Sequence, residues 1–254
     1  TDGQVCETFK ARDLWREICE AAWKCADPGV QFDTTINDWH TAANTDRING
    51  SNPCSEYMFL DDSACNLSSI NLVKYLKDDG TFDVAAYEQT CRLMLIAQEI
   101  LVDFSSYPTK KIAQNSHDYR PLGLGYANLG TLLMIKGIPY DSPQALAWAG
   151  SITAIMHGAA NSASAEVAKN KGAYPGYARN ESSHLRVMNK HREAAYKISD
   201  KNAPEYLVKA ARRVWDDTVA LGEKYGYRNA QATVLAPTGT IGLLMDCDTT
   251  GIEP

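Results

Sequence analysis

The 254-residue sequence contains no apolar run approaching the roughly 18 residues a membrane-spanning helix needs, so no helical membrane span is expected. No charged-then-apolar leader opens it, and no secretory signal is expected. It has no Cys-x-x-Cys and no histidine pair four residues apart, and no histidine lies near Cys54 or Cys65 at ligand spacing, so a zinc site is not expected. Positive charge is in short supply: 25 Lys and Arg against 31 Asp and Glu leave a net charge of −6. Bulk electrostatic binding to nucleic acid or anionic lipid is therefore excluded, while a local basic pocket for a phosphate is not. Internal repeats, low-complexity tracts and flexible linkers are also absent from the sequence.

What remains is the composition of an ordinary globular protein, 44% apolar and 22% charged. The length allows a sizeable core, as one large α/β domain or two smaller ones. Seven cysteines (Cys6, Cys19, Cys25, Cys54, Cys65, Cys91 and Cys247) form an odd set that fits a reducing cytoplasm better than a disulfide framework. The sequence opens on Thr1 and stops at Pro254 without a terminal helix pattern. It reads as an internal piece of a longer protein, with residues 1–254 forming a single partial domain.

Periodicity organises the rest. Leu14, Ile18, Ala21, Ala22 and Cys25 recur at helical spacing behind Asp13, placing Cys25 on a buried stripe. Residues 85–104 read as a helix whose apolar face is Leu93, Ile96, Ala97, Ile100, Leu101 and Phe104, with Cys91 as packing. Residues 120–126 look like a short buried strand opening onto a helix that Gly137 closes. Ser142-Pro143 starts a long helix that Gly172 stops, with a kink expected near Gly158, and Pro204 starts another that Gly226 ends. Ala232-Thr233-Val234-Leu235 is a strand running into Ala236-Pro237-Thr238-Gly239-Thr240-Ile241-Gly242. Strands that each deliver the chain to a chemically interesting loop suit an α/β protein with its site at strand ends.

Three segments carry chemistry. In Ser51-Asn52-Pro53-Cys54-Ser55-Glu56 an extended backbone would put Asn52, Cys54 and Glu56 on one face, about 6.5–7 Å apart in succession. An amide, a thiol and a base would then share one pocket. The alternative is a turn that Asn52 initiates at the Asn-Pro step, with Glu56 solvated. Cys65 supplies a second thiol, or is simply the buried end of a strand. Thr238-Gly239-Thr240 after a strand is a plausible phosphate cradle, since glycine lets backbone N–H groups approach and the threonines add hydroxyls. It lacks the lysine of a Walker loop, and Pro-Thr-Gly is also an ordinary turn. The five histidines are scattered and read as structural or exposed.

Four motifs stand in register: Asn52-Pro53-Cys54-Ser55-Glu56, Ala64-Cys65-Asn66-Leu67-Ser68-Ser69-Ile70-Asn71-Leu72, Arg120-Pro121-Leu122-Gly123-Leu124-Gly125, and Ala236-Pro237-Thr238-Gly239-Thr240-Ile241. Together they resemble ribonucleotide reductases, and most closely the class II, adenosylcobalamin-dependent enzymes. The resemblance implies part of a ten-stranded α/β barrel with a finger loop that carries Cys54 to its centre. It implies that Cys54 holds a transient thiyl radical, Glu56 accepts the 3′-hydroxyl proton, and Asn52 hydrogen-bonds a ribonucleoside di- or triphosphate. Cys65 would be one of two reducing thiols, and Pro237, Thr238, Gly239, Thr240 and Ile241 would join Pro53 and Ser55 in binding substrate. It also implies a thioredoxin-type reductant, a homodimer, and nucleotide effectors that bind outside this chain. The partner thiol comes from an earlier strand in that family, and Cys6, Cys19 and Cys25 lack its context. The alternatives are the large subunit of a class I reductase, served by a separate radical-generating metal subunit, and a non-catalytic nucleotide-binding regulatory paralogue. The paralogue would have lost Cys54, Glu56 or Cys65, and all are present.

Overall fold

The computed structural model describes residues 4–254. In chain order the elements are α1 (Ala11–Cys25), α2 (Asp33–Asp38), β1 (Asn66–Asn71), α3 (Val84–Phe104), α4 (Lys110–Tyr119) and β2 (Leu122–Ala127). There follow α5 (Leu129–Ile135), α6 (Pro143–Lys171), α7 (Tyr177–Tyr196), α8 (Glu205–Tyr225) and α9 (Gly239–Leu244). Strands β1 and β2 pair in parallel, from Asn66 opposite Leu122 to Asn71 opposite Ala127. On the other edge of β2 the 231–234 segment continues the sheet. Leu122 N–H donates to Gln231 O (2.8 Å), Leu124 N–H to Ala232 O (3.1 Å), and Val234 N–H to Leu124 O (3.0 Å). The bridge between Leu124 and Thr233 is parallel. Three neighbouring parallel strands joined through helices make this an α/β arrangement, as the sequence predicts.

The pleat of β2 separates two environments. Leu122, Leu124 and Tyr126 are buried in one apolar core with Ile70 of β1, Leu95 of α3 and Ile152 and Ile155 of α6. Gly123 alternates to the opposite face, where a Cβ would lie 2.4 Å from Leu67 Cδ2 and 2.6 Å from Cys65 Sγ. Gly125, next on that face, has Val234 O only 2.4 Å from where its Cβ would be. Glycines in a strand interior mark such close approaches.

Several sequence expectations need correction. Helix α6 runs unbroken through Gly158, which permits contact between helices instead of a kink: a Cβ there would meet Val214 Cγ1 of α8 at 2.6 Å. In α3 the buried stripe is Tyr87, Cys91, Leu95, Gln98 and Val102, while Leu93, Ile100, Leu101 and Phe104 are exposed. Both faces of that helix are apolar, so periodicity alone could not choose between them. No residue of α1 is buried, and Cys25 is exposed. Along the stripe Leu14, Ala22 and Cys25 are exposed, and only Ile18 and Ala21 are half-buried. The sequence did not flag α7, because its buried face mixes Asn180, Ser183 and His184 with Val187 and Met188. Asn180 and Ser183 face the 41–45 segment, while His184 packs against Tyr174 and Tyr227. Asn180 Nδ2 donates to Thr45 Oγ1 (2.7 Å), Asn44 N–H donates to Asn180 Oδ1 (3.0 Å), and Ser183 Oγ donates to Thr41 O (2.7 Å).

Polar clamps hold the two ends of the sheet. At the start of β2, the Arg120 guanidinium donates to Glu99 Oε1 (2.6 Å) and Asp103 Oδ1 (2.7 Å). Arg228 Nε also donates to Glu99 Oε1 (2.8 Å), and Asn229 Nδ2 to Glu99 Oε2 (2.6 Å). At the far end, Asn128 Nδ2 donates to Asn71 Oδ1 (3.1 Å), and Asn128 Oδ1 accepts from Thr249 N–H (3.1 Å). Thr131 N–H donates to Thr249 Oγ1 (3.1 Å), so the last ten residues are fastened across the ends of β1 and β2. No helix among the described residues is long and apolar enough to cross a membrane.

Candidate active site

The Asn52–Glu56 segment is a turn, not an extended strand. Ser51 and Met58 form an antiparallel bridge, and between them Ser55 N–H donates to Asn52 O at 3.0 Å. Asn at the first position and Pro at the second are what such a turn favours. Ser55 then takes the left-handed conformation, φ 63°, that turns the chain back. The extended-face reading of Asn52, Cys54 and Glu56 is therefore overturned, and so is half of its alternative, because Glu56 is half-buried and partnered. Asn52 Nδ2 donates to Glu56 Oε2 at 2.5 Å, while Asn52 Oδ1 accepts from Tyr57 N–H at 2.9 Å. The amide and the carboxylate touch directly. Cys54 sits at the turn tip with Pro53, exposed, and its thiol makes no hydrogen bond among the described residues.

Cys65 immediately precedes β1, half-buried against the open face of Gly123. Burial, reinforced by the nearby Glu56 carboxylate, pushes its thiol up to about 12. It is held as a thiol, suited to giving hydrogen rather than acting as a free thiolate nucleophile. Asn52, Glu56 and Cys65 thus come together, although the sequence offers no local pattern linking the third to the first two. Tyr57 and Ser63 connect them, and Gly123 makes room; sequence reasoning missed all three residues. The signal available for Gly123 was a glycine inside an otherwise apolar strand.

Ser55 and Glu56 also border a cavity of about 880 Å³ that extends beneath α6 to His157 and Thr233. Asn161 Nδ2 donates to His157 O (2.8 Å), and His157 Nδ1 lies 2.7 Å from Thr233 Oγ1 and 3.2 Å from Asn161 Nδ2. Burial lowers His157 to about 4, so its ring is neutral.

The predicted phosphate loop lies elsewhere. It follows the carboxyl end of the 231–234 strand, whereas Cys65 precedes the amino end of parallel β1. Thr238 adopts φ 53°, and its hydroxyl is committed twice, donating to Pro237 O (2.8 Å) and accepting from Gly251 N–H (2.5 Å). It is not free to serve a ligand, contrary to the expectation that both threonine hydroxyls are available. Gly239 and Thr240 are exposed, and a Cβ on Gly239 would meet nothing within 4 Å. No group of three or more potential metal ligands occurs among the described residues.

Residues 2–254 match the family described as "Ribonucleotide reductase, barrel domain". The chain belongs to that family. Among its relatives, a vitamin B12-dependent ribonucleotide reductase of Rhodopirellula baltica is 59% identical over 97% of this chain and 24% of the relative. One from Streptomyces avermitilis is 52% identical over 99% of this chain and 27% of its own length. A vitamin B12-dependent ribonucleoside-diphosphate reductase of Mycobacterium tuberculosis is 31% identical over 99% of this chain and 30% of the relative. This member of the reductase barrel family therefore spans about a quarter of the length of the first two of these relatives.

Proposed function

We propose that the chain is a single partial domain, the central segment of the catalytic barrel of a vitamin B12-dependent ribonucleotide reductase. The full-length protein converts a ribonucleoside di- or triphosphate into its 2′-deoxy form in the cytoplasm. The single observation that carries this reading is the convergence of Asn52, Glu56 and Cys65, with Cys54 on the adjoining turn, in a chain whose relatives bear that activity in their names. The turn from Ser51 to Met58 is the finger loop, and the three parallel strands are part of the ten-stranded barrel.

The chemistry follows from the residues. Cys54, exposed and without a hydrogen-bond partner, is reachable by a large cofactor approaching from outside this chain, which fits adenosylcobalamin. When bound, that cofactor supplies the one-electron chemistry that removes the hydrogen atom of the Cys54 thiol. The Cys54 sulfur then takes the 3′ hydrogen atom of the ribose. Glu56 receives the 3′-hydroxyl proton, and Asn52, oriented by Glu56 and by Tyr57 N–H, hydrogen-bonds the substrate. The 2′-hydroxyl leaves as water. Cys65 and a second thiol from outside this chain give up two electrons and two protons, one proton to the departing 2′-hydroxyl and the other with the electrons to C2′, and close a disulfide. Glu56 returns its proton to the 3′ oxygen, and Cys54 finally returns its hydrogen atom to C3′. Cys65 being held as a thiol supports its role as the hydrogen-giving partner.

Pro53 and Ser55 shape the turn, Pro237 shapes the loop, and the backbone N–H groups of Gly239, Thr240 and Ile241 with the Thr240 hydroxyl receive the phosphates. Thr238 holds that loop to Gly251. A thioredoxin-type reductant, nucleotide effectors and a homodimer partner act through parts of the protein outside this chain. The test is deoxynucleotide formation by the full-length protein supplied with ribonucleotide, a dithiol reductant and adenosylcobalamin. Activity that requires the cofactor and vanishes in Cys54→Ala is expected, whereas turnover without cofactor or without Cys54 would overturn the proposal.

A further inference from the structure

Tyr57 directly follows Glu56, and both of its ends are engaged. Its backbone N–H fixes Asn52 Oδ1 at 2.9 Å, leaving the Asn52 amino group to meet Glu56. Its hydroxyl lies 2.9 Å from Ser63 Oγ, two residues before Cys65. The direction of that bond can be deduced. Ser63 Oγ is 2.6 Å from Leu60 O, a carbonyl that can only accept, so the single hydroxyl proton of Ser63 is already used. Ser63 therefore accepts, and the phenol of Tyr57 donates. The side chain is half-buried, and burial together with the nearby Cys65 pushes the phenol above its ordinary range, so it stays a donor. No other side-chain hydrogen bond among the described residues joins the Ser51–Met58 turn to the 60–65 segment that leads into Cys65.

Resting on the reading of the site given above, we propose that Tyr57 is a positioning residue for the reductase reaction. It acts as a strut, donating through Ser63, and holds the Asn52–Glu56 turn at a fixed height over the Cys65 thiol. It touches neither substrate nor the reacting atoms. Without the strut, Asn52 and Glu56 keep their mutual contact but lose their register with Cys65, so binding survives while the hydrogen-giving step slows.

The test uses the full-length protein with Tyr57→Phe, Ser63→Ala and the double variant. Loss of one hydrogen bond that acts on geometry predicts kcat for deoxynucleotide formation lowered about five- to tenfold, with KM within about twofold of wild type. The two changes act on one bond, so the double variant should be no slower than the slower single. A second readout needs no turnover: maleimide labelling of Cys65 in the substrate-free protein should accelerate about threefold in Tyr57→Phe, on the same energetic scale. Buried Cys91 should stay protected, showing that the fold is intact. Wild-type kcat in Tyr57→Phe, a change confined to KM, multiplying effects in the double variant, or unchanged Cys65 labelling would each overturn the strut. If the wild-type protein makes no deoxynucleotide, the proposed function fails while the labelling comparison still decides the role of Tyr57.

Discussion

Replacing Gly123 with alanine tests whether the open face of β2 exists to seat the Cys65 thiol. The added Cβ would lie 2.6 Å from Cys65 Sγ and 2.4 Å from Leu67 Cδ2, where ordinary contact begins at 3.4 Å. The thiol must therefore retreat by at least 3.4 − 2.6 = 0.8 Å, or the strands must part. Stability should change little. Alanine in place of glycine stabilises by about 0.4–1 kcal/mol through the unfolded chain, and crowding costs about 1–3 kcal/mol. Activity should change much more, because a misplacement of about 1 Å in a reacting group costs on the order of a hundredfold. The assay pairs deoxynucleotide turnover by the full-length protein with thermal melting and with Cys65 alkylation in the absence of substrate. Gly29→Ala serves as the control, since nothing lies within 4 Å of its Cβ direction. Expected is a loss of tenfold or more in kcat, altered Cys65 alkylation, and a melting temperature near that of wild type. Wild-type turnover with unaltered alkylation would refute the reasoning, as would a large melting shift with Cys65 unchanged.

Glu56→Gln preserves a hydrogen-bonding partner for Asn52 but removes the base, so kcat should fall about a hundredfold or more with little change in KM. The same change lifts the carboxylate's charge off Cys65, lowering its pKa from about 12 and speeding its reaction with iodoacetamide at pH 9. His40 is buried, donates to Asp46 O at 3.1 Å, and is held near 4 against an ordinary 6.5. Its folded value is depressed, so its contribution to stability is complete above pH 6.5 and is lost as pH falls toward 4, on the order of 3 kcal/mol in all. Urea midpoints measured from pH 7 down to pH 4.5 should drop less steeply for His40→Gln than for wild type; parallel slopes would contradict this. Glu99→Ala strands Arg120 and Arg228 without their shared carboxylate and should cost about 3 kcal/mol or more, read by denaturant unfolding.

Much of this fold was legible because its helices announce their ends. Ser142-Pro143 and Gly172, and Pro204 and Gly226, bracket α6 and α8 almost to the residue. Which face of a helix is buried was less legible where both faces are apolar, as in α3, or where the buried face is polar, as in α7. Those choices are made by what lies opposite, and a single segment does not contain that information. The site followed the same rule. Asn52, Cys54, Glu56 and Cys65 could be picked out as residue types in a pattern, and the Asn-Pro step offered the turn as one of two geometries, but not the contact it makes. An Asn-Pro step closes a turn rather than extending a strand, and this brings the amide onto the carboxylate. Thr238 shows the limit from the other side, since its hydroxyl is spent on Gly251, a partner distant in sequence.

A one-residue slip of β2 would move Leu122, Leu124 and Tyr126 out of the core, but a two-residue slip would keep the same face inward, and Gly123 and Gly125 carry no side chains that resist it. The buried Arg120–Glu99 pair at one end and the Asn128–Asn71 bond at the other compensate, because each is a short, directional contact that only one alignment satisfies. A strand thinned to admit a thiol is pinned at its two ends, and those distant pins keep Cys65 opposite Gly123.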